Sequence, residues 1–396
     1  MRIGMILDNV YPPDPRVENE AIELIKEGHE VYLFCLSYDK NEKVEEEING
    51  IKVRRYTSNT IEYKLSALAY TFPFYNILMS SKIKDFIKNT SVEVIHIHDI
   101  RIAGAAFLAN KKFNLPTVLD LHENRPEIMR FYPHMQKLYG KLLISIKKWI
   151  KKEEAFVKNA SKVIVVTKHA KKELVDRTQI LKSKVAVVPN TIRSSFYNDK
   201  NDLEIPYKNQ KEDLTLLYLG DTGERRGLRT VVSSLVKLRD EKGIKNIKFV
   251  IVGKTSQYLE KMVSDNSISD QVKLFGWQYD TTFPNWIRES DVCVSPLHKN
   301  IHHDTTYANK IFQYMSIGKP LLISDVLAQE VLMKETEAGL VHKAKDVHDF
   351  TEQLLKLYHD SNLREKLGKN GESFVRNHFT WDKTSGELID LYKNLN

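Results

Sequence analysis

Short runs of consecutive apolar residues alternate along the chain with segments in which apolar residues recur at helical spacing. The runs in the first half are RIGMIL, VYLFCL, VEVIHIHD, PTVLDLHE, SKVIVVT and KVAVVPN. Between the first two, Ala21, Leu24 and Ile25 form the apolar stripe of a helix that Gly28 ends. Continuous Val/Ile runs separated by helices are typical of a parallel sheet covered on both faces. The first half is therefore predicted to be a doubly wound α/β domain.

The same alternation starts again after residues 197–213, a polar segment without periodicity that is predicted to be a linker. Predicted strands of the second half are LTLLYLG, KFVIVG, VKLFGW, DVCVSPL and PLLISD, and FTWDKTSGELIDLYKNL predicts a final helix. We therefore expect two Rossmann-like domains, residues 1–196 and 214–379, with residues 380–396 joining the first. A ligand is expected in the crevice at the carboxyl ends of the strands.

The stretch ANKIFQYMSIGKPLLISD, residues 308–325, contains one complete helix-to-strand transition. Ile311, Phe312 and Met315 form one apolar stripe, Gly318 stops the helix, and the run LLIS predicts a short buried strand. Gln313 lies on this helix just after the apolar stripe begins. The role of Gln313 depends on which part of the protein or which ligand this helix faces.

Length and charge narrow the class of protein without fixing its function. A chain of 396 residues suits two domains, and 60 Lys plus Arg against 52 Asp plus Glu give a net charge of +8. This excess is compatible with nucleic acid, anionic lipid, a phosphate-bearing substrate or solubility alone. No run of about 18 apolar residues exists, and Met1 leads directly into a predicted core strand. A cytoplasmic protein is therefore expected.

Several common chemistries are excluded by missing motifs. No G-x-G-x-x-G follows a predicted strand, and LGDTGERRG spaces its glycines differently. A G-x-x-x-x-G-K-[ST] loop, a G-x-S-x-G elbow and an Asp-x-Asp pair are also absent from the sequence. Two groups contain residue types that bind metals: His96, His98 and Asp99, and His302, His303 and Asp304. Tight structural sites usually use cysteine or well-separated histidines, so neither a metal nor a cofactor is expected.

The remaining pattern favours an anionic ligand in the second half. Arg225 and Arg226 follow a predicted strand where a helix starts, and Lys310 lies in the first turn of another helix. Helix N-termini and nearby arginines suit a diphosphate. Solvated surface charge explains the same residues equally well. In the first half, His122 ends a strand and precedes Glu123, where it would point into the crevice or bond within its own loop.

Together these motifs resemble the family-4 glycosyltransferases of the GT-B fold over nearly the whole chain. YPPDPRVENEAIELIKEGHEV, VEVIHIHD, VVPNTI, KFVIVG, VKLFGW, SDVCVSPL and ANKIFQYMSIGKPLL follow in the family's order. The last is the most specific, because relatives commonly have P-x-K-x-F-E-Y-M-A-x-G-K-P there. The resemblance implies two Rossmann-like domains facing each other across a crevice. It also implies transfer of a sugar, with retention and without a metal, from a nucleotide-sugar on the second domain to an acceptor on the first.

The resemblance also assigns roles to residues. His122 matches the histidine that contacts the donor sugar, and Arg226 matches the basic residue that stabilises the departing diphosphate, where such donors contribute most to rate. Candidate donor-binding residues are Gly220, Arg225, Gly253, Lys254, Thr305, Asn309, Lys310 and Gln313. Candidate acceptor-side residues are Arg16, His98, Asp99 and Glu123. The base is not obvious, and the leaving phosphate itself is often proposed in this family.

Three positions depart from the family pattern. Two glutamates eight positions apart are usual, and here Thr305 and Gln313 replace them. A second basic residue usually follows Gly220, and here it is Asp221. Because Gln313 is a neutral acceptor, its bond to a ribose hydroxyl should be weaker than that of glutamate. We expect a transferase that uses a UDP-sugar in building a cell-surface polysaccharide. The alternative is a catalytically silent subunit that binds a nucleotide-sugar or a partner protein.

The most concentrated positive region is residues 137–156, KLYGKLLISIKKWIKKEEAF. Its apolar residues follow helical spacing with lysines opposite, a pattern typical of helices that lie on anionic bilayers. A domain helix with solvated lysines has the same pattern. The apolar segment 65–79 in the same domain favours peripheral contact with the inner face of the cell membrane, near a lipid-linked acceptor. No nucleic-acid partner is expected, since no known module is evident.

Overall fold

The protein divides into two compact units in the computed structural model. The structure describes residues 1–132, 135, 137–198 and 203–395. The first unit comprises Met1–Asn190 and Thr384–Asn396, and the second comprises Thr191–Lys383. The chain therefore passes into the second unit at Thr191 and returns to the first at Thr384.

The first unit is built on an eight-stranded sheet in the order β3-β4-β2-β1-β5-β6-β7-β8. Its strands are β1 (Arg2–Ile6), β2 (Glu30–Ser37), β3 (Glu45–Ile48), β4 (Ile51–Thr57), β5 (Val94–His98), β6 (Thr117–Leu121), β7 (Lys162–Val165) and β8 (Val185–Val187). β3 pairs with β4 in antiparallel orientation, and the other neighbours are parallel. The continuous apolar runs are buried on both faces, as predicted for a parallel sheet.

Helices cover both faces of this sheet. They are α1 (Pro15–Lys26), α2 (Thr60–Ser66), α3 (Phe74–Thr90), α4 (Ile100–Asn110), α5 (Arg125–Met129), α6 (Leu138–Leu143), α7 (Ile146–Asn159), α8 (Lys168–Thr178) and, from the end of the chain, α19 (Gly386–Lys393). α1 starts where Asp14 caps the amide of Val17, with proline at its first position. α19 belongs to this unit because Leu388 and Tyr392 are buried there and Glu387 accepts from the Val187 amide at 2.6 Å.

Sequence patterning missed the β3–β4 hairpin and misread two helices. β3 is an edge strand and β4 is its neighbour. Both carry charged residues such as Glu46 and Arg54, so no continuous apolar run marks them. The basic stretch 137–156 is two helices, α6 and α7, because residues 144 and 145 are extended and Ser145 caps α7. The final helix is also divided, into α18 (Trp381–Thr384) at the unit boundary and α19.

The second unit contains a six-stranded parallel sheet in the order β11-β10-β9-β12-β13-β14. Its strands are β9 (Leu214–Leu219), β10 (Ile247–Val252), β11 (Val272–Leu274), β12 (Val292–Ser295), β13 (Leu321–Ser324) and β14 (Gly339–His342). Its helices are α9 (Ser195–Asn198), α10 (Leu228–Lys242), α11 (Gln257–Asp265), α12 (Phe283–Arg288), α13 (Ile301–Thr305), α14 (Lys310–Ser316), α15 (Leu327–Thr336), α16 (Val347–His359) and α17 (Ser361–His378). The sequence pattern predicted β9 to β13 and missed β14 at the edge.

The segment predicted to be a linker packs on the second unit. Ile205 and Tyr207 contact its apolar core, and the Tyr207 hydroxyl lies 2.7 Å from Thr215 Oγ1. Asn209 binds Asp291 through its side-chain amide at 2.9 Å. The polar composition that predicted a linker therefore reflects surface hydrogen bonds, while residues 199–202 lie outside the described residues.

Candidate active site

In the first unit, strand register gathers polar side chains at the carboxyl ends of β5 and β6. β5 and β6 are neighbours, and His98 is paired with Asp120. Because side chains alternate along a strand, His96, His98 and Asp120 lie on one face of the sheet. All three side chains are fully buried. The register therefore places two imidazoles and a carboxylate in the core, just before His122.

Helix α1 supplies the charge that balances this cluster. The Arg16 guanidinium donates from Nε and Nη2 to the two oxygens of Asp120 at 2.8 and 2.7 Å. Its Nη2 also lies 2.9 Å from Glu20 Oε1, one helical turn further on. The side chains of Arg16, Asp120 and Glu20 are 3%, 0% and 0% exposed. A bidentate pair this deeply buried fixes how α1 is placed on β6.

The two buried carboxyl groups differ in their pKa. Burial raises the pKa of Asp120, but Arg16 and His122 outweigh it and hold that pKa well below its usual range. Burial raises the pKa of Glu20 to about 8, even though Arg16 lowers it. A neutral Glu20 can donate to His96 Nε2, which lies 3.4 Å from Glu20 Oε2. At neutral pH the Arg16 guanidinium therefore binds an ionised Asp120 and a protonated Glu20.

Asp120 also holds His122. Nε2 of His122 lies 2.8 Å from Asp120 Oδ2 and 3.2 Å from His98 Nδ1. Burial lowers the pKa of His122, but the Asp120 carboxylate outweighs it and raises that pKa to about 9. Burial lowers the pKa of His98, which is therefore neutral. His122 is an oriented imidazolium at neutral pH, a cation that can donate to a bound substrate.

The same cluster contains the donor types of a metal site. Glu20, His96, His98 and Asp120 each offer a ligand atom, and these atoms lie within 4.8 Å of one another. Arg16 already binds both carboxyl groups, and a divalent ion beside it would meet its positive charge. The residues thus fit an arginine-neutralised network better than a metal centre. The absence of a bound metal stays a prediction.

A second row of ion pairs lies next to His98. Arg125 Nε donates to Asp99 Oδ2 at 2.9 Å, and Arg125 Nη1 lies 3.5 Å from Glu123 Oε1. Arg101 Nη2 donates to Asp8 Oδ1 at 2.8 Å. The predicted acceptor-side residues Asp99 and Glu123 therefore meet at Arg125, which the sequence pattern did not single out.

In the second unit, two glycines allow neighbouring chain segments to approach closely after β9 and β10. Gly220 and Gly253 have φ angles of +119° and +142°. A Cβ on Gly253 would lie 2.2 Å from the Gly220 carbonyl oxygen. A Cβ on Gly227 would lie 1.7 Å from the carbonyl oxygen of Pro296. Glycine is thus required at positions 253 and 227, because neighbouring carbonyl groups occupy the space that a side chain would need.

Two basic side chains lie at the turn that follows Gly220. The Lys310 ammonium lies 3.5 Å from the centroid of the Tyr218 ring, and a Cβ on Gly220 would lie 3.1 Å from it. Burial, with Arg226 nearby, lowers the pKa of Lys310 well below its usual value. Arg226 binds Asp221 Oδ2 through Nε at 2.8 Å and Nη2 at 2.6 Å. Asp221 thus takes the position of the family's second basic residue and partly neutralises Arg226.

Arg225 contacts a buried histidine. Its Nη1 lies 2.9 Å from His303 Nε2, and His303 Nδ1 lies 2.8 Å from the His298 carbonyl oxygen. Burial and the nearby guanidinium groups lower the pKa of His303 to about 3. A neutral His303 that donates from Nδ1 accepts from Arg225 at Nε2. The histidine therefore orients Arg225 and adds no charge.

The other predicted donor-binding residues have different environments. Thr305 is buried, and its hydroxyl donates to Ile301 and His302 carbonyl oxygens in its own helix. Gln313 is half-buried and lies one turn after Lys310 on α14. Asn309 and Lys254 are exposed. Their roles in binding a donor stay predictions.

The structure thus gathers the predicted residues within each unit. Arg16, His98 and His122 share the Asp120 network, while Gly220, Gly253, Arg226 and Lys310 surround one turn. Sequence reasoning missed Asp120, whose signal was a lone carboxylate within the apolar strand TVLDL. It also missed Glu20, four residues after Arg16.

Two family models match the chain. The model of Glycosyltransferase Family 4 covers residues 16–196, and the model of glycosyl transferases group 1 covers residues 199–374. The chain is a family-4 glycosyltransferase. This confirms the resemblance inferred from the motifs and identifies the protein as an enzyme.

Known proteins agree with this family. The glycosyltransferase is 20% identical to phosphatidyl-myo-inositol mannosyltransferase of Mycolicibacterium smegmatis over 410 aligned positions, covering 100% of this chain and 94% of the relative. It is 23% identical over 247 positions to the capsular polysaccharide biosynthesis glycosyltransferase CapM of Staphylococcus aureus, covering 59% and 61% of the two chains. Anabaena HepE, solved in complex with UDP and glucose, superimposes with a TM-score of 0.72 at 11% identity, covering 99% of each chain. The protein therefore has the predicted GT-B fold. Within the described residues, none of its helices is both long and apolar enough to cross a bilayer.

Proposed function

We propose that this glycosyltransferase moves a hexosyl or N-acetylhexosaminyl group from a UDP-sugar to a lipid-linked or glycan acceptor in cell-surface polysaccharide biosynthesis. Configuration at the anomeric carbon is retained and no metal takes part. The observation that carries the proposal is the group of basic side chains Arg225, Arg226 and Lys310 next to the turn that follows Gly220. A bound diphosphate would accept from these side chains, and its negative charge would offset the burial that lowers the pKa of Lys310.

In the proposed reaction, the bond between the anomeric carbon and the β-phosphate oxygen of UDP breaks. A bond between that carbon and the acceptor hydroxyl oxygen forms on the same face. The hydroxyl proton passes to a phosphate oxygen of the departing UDP. Arg226 and Lys310 offset the charge that develops on that phosphate, where such stabilisation contributes most to rate.

His122 acts on the donor sugar in this proposal. Asp120 keeps it protonated and fixes its Nε2, at 2.8 Å. Among the described residues no polar contact to His122 Nδ1 is found, so this nitrogen is the donor that a sugar hydroxyl can meet. A positioned cation beside the anomeric carbon orients the sugar rather than removing a proton, because the ring is already protonated.

Nucleotide release tests the proposal. Purified protein is incubated with UDP- and GDP-sugars, with and without short glycan and lipid-linked acceptors and with a chelator throughout. We expect release of UDP that the chelator does not reduce, and an α-linked product from an α-linked donor by NMR. The absence of release from every donor, or a product of inverted configuration, would contradict the proposal.

Membrane association is part of the same proposal. Leu138 and Leu142 on α6 are 84% and 83% exposed, and Phe74 and Ile77 on α3 are also exposed. Lys141 on α6 is exposed beside the two leucines. Apolar residues with flanking lysines suit an anionic bilayer surface. Helix α7 is not part of this proposed membrane surface, because its Trp149 side chain packs in the core of the first unit. Flotation with vesicles containing phosphatidylglycerol, compared with phosphatidylcholine alone, measures the association.

The Asp221–Arg226 pair predicts that donor binding is restrained by a carboxylate. Asp221→Asn leaves the Arg226 guanidinium to the donor diphosphate, and we expect UDP to bind up to about fivefold more tightly, since such partly exposed pairs contribute ~0–1 kcal/mol. Isothermal titration calorimetry with UDP measures the effect. The matched control is Asp240→Asn, because Arg239–Asp240 is 20% and 55% exposed against 21% and 50% for Arg226–Asp221. Equal or weaker binding by Asp221→Asn would contradict this role.

Gln313 predicts a weakened contact to the ribose. Gln313→Glu introduces a charged acceptor, and we expect UDP to bind about fivefold more tightly, because hydrogen bonds to charged groups contribute about 1 kcal/mol more than neutral ones. The control ligand is 2′,3′-dideoxy-UDP, which lacks both ribose hydroxyls. A gain that persists with this ligand would show that Gln313 does not contact the ribose.

A further inference from the structure

A cavity of about 450 Å³ lies in the first unit among α2, α5, α6 and the start of α7. Sites for small organic molecules typically measure about 300–1,000 Å³, so the cavity is large enough for part of a substrate. Its wall is mainly apolar: Leu68, Met129, Leu143, Ile144 and Trp149 line it. The Trp149 side chain is buried and packs against Tyr70 at 4.6 Å between ring centroids. Apolar packing of this kind holds the wall in place.

The polar groups of the cavity lead toward the candidate active site. Arg101 and Arg125 belong to its lining, and their carboxylate partners are Asp8 and Asp99. Asp99 directly follows His98, whose ring lies 3.2 Å from His122 Nε2. Since both guanidinium groups are already paired, this wall suits a neutral or hydroxyl-bearing head rather than a free anion.

Helix α6 contributes to the wall of the cavity and also carries the exposed leucines. Gly140 and Leu143 line the cavity from α6, the helix that exposes Leu138 and Leu142. Lys64 lies in the lining of the cavity, and Lys141 is exposed on α6. An apolar cavity with lysines about it complements a molecule that has a hydrocarbon chain and comes from an anionic lipid surface.

We propose that this cavity binds the hydrocarbon chain of a lipid-linked acceptor, with the acceptor's polar head on the side of Arg101 and Arg125. The inference rests on the proposed glycosyl transfer and specifies its acceptor class. A bound chain would cover Trp149 and Leu143, while the acceptor hydroxyl would lie on the side of Asp99 and His122. The exposed leucines of α6 would remain on the bilayer.

Quenching of tryptophan fluorescence by 11-bromo-1-undecanol, which has a neutral hydroxyl head, tests the cavity below the solubility limit of the probe and without vesicles. A bromine within the cavity quenches Trp149, so we expect saturable quenching that Trp149→Phe removes. The short homologue 3-bromo-1-propanol carries the same hydroxyl head, and it should not quench at equal concentration. Equal quenching by the two compounds would overturn the proposal.

Two substitutions to phenylalanine separate the cavity from the exposed surface. Ala67 lines the cavity, whereas Leu142 is on the exposed face of α6. Ala67→Phe fills the cavity and should weaken binding of the long chain by about tenfold, equivalent to 1.4 kcal/mol. The Leu142→Phe variant should bind the long-chain probe with the same affinity as the wild type. Thermal unfolding of both variants checks that they fold, and equal affinities in the two folded variants would overturn the proposal.

Transfer assays distinguish failure of this inference from failure of the proposed function. Ala67→Phe should lose transfer to a long-chain acceptor but keep release of UDP to water at the wild-type rate. If UDP is released and both variants glycosylate the long-chain acceptor equally, the cavity assignment fails and the glycosyl transfer stands. If no variant releases a nucleotide, the proposed function fails, and the acceptor assignment fails with it.

Discussion

Replacing Arg226 by alanine is expected to lower turnover by about 10²–10³-fold, the loss typical when a preorganised donor to developing charge is removed. Arg226 lies beside the turn at Gly220, and the Lys310 side chain lies close to both. Its effect should be on kcat more than on KM, because the charge on the leaving phosphate grows only as the glycosidic bond breaks. Steady-state release of UDP measures both parameters.

The matched control for this substitution is Arg229→Ala. Arg229 is exposed in the first turn of α10, three residues after Arg226, so it changes the net charge equally. We expect wild-type turnover from Arg229→Ala. Wild-type turnover from Arg226→Ala would show that Arg226 does not stabilise the leaving group.

Replacing Arg16 by methionine is expected to destabilise the first unit by about 3–5 kcal/mol, because removing one partner of a buried ion pair leaves an uncompensated charge. Asp120 is fully buried, and Arg16 binds both of its oxygens. Without the guanidinium, the pKa of Asp120 should rise, and that of His122 should fall if Asp120 loses its charge. Urea unfolding measures the loss, with hydrogen exchange of β6 amides assigning the transition to the first unit.

An exposed ion pair provides the comparison. Lys172 and Asp176 on α8 are 77% and 60% exposed, and such pairs contribute ~0–1 kcal/mol. Lys172→Met should therefore leave the unfolding transition almost unchanged. If Arg16→Met were equally mild, the buried network would not be needed to hold α1 on the sheet.

Local patterning was sufficient for the order of most elements. Continuous Val/Ile runs marked the central parallel strands because those strands are buried on both faces and need apolar residues throughout. The same rule explains the failures near the edges. β4 lies next to the edge strand β3 and carries Lys52 and Arg54, and β14 is an edge strand without a long apolar run. Composition therefore marks neither segment as a strand.

The basic stretch shows where helical spacing misleads. Spacing predicted one amphipathic helix, and its apolar positions were assigned to one face. The backbone is instead extended at Ile144 and Ser145. This break means that α6 and α7 do not share one continuous apolar face. Trp149 therefore packs inside while Leu138 and Leu142 stay exposed. The spacing of apolar residues is a local property of the sequence. It does not predict which of those residues pack against the rest of the unit.

For the candidate site too, some residues could be predicted from the sequence, while their contacts required the structure. His122, Arg226 and Lys310 could be singled out from the sequence because they follow strands or start helices, where parallel α/β sheets bind ligands. Asp221 was recognised as a departure from the family, but its contact with Arg226 follows from the turn geometry. The cavity lined by Trp149 and Arg125 had no counterpart in the sequence pattern.

The sequence by itself determined two α/β units, their family and the residues worth testing, because each depends on local composition and on motifs in a fixed order. Only the tertiary structure decided which charges meet. Arg16 and Asp120 are 104 positions apart, and their bond exists because β1, β5 and β6 are neighbours beneath α1. Strand order and register bring such residues together, and the low dielectric of the core then makes their pairing obligatory.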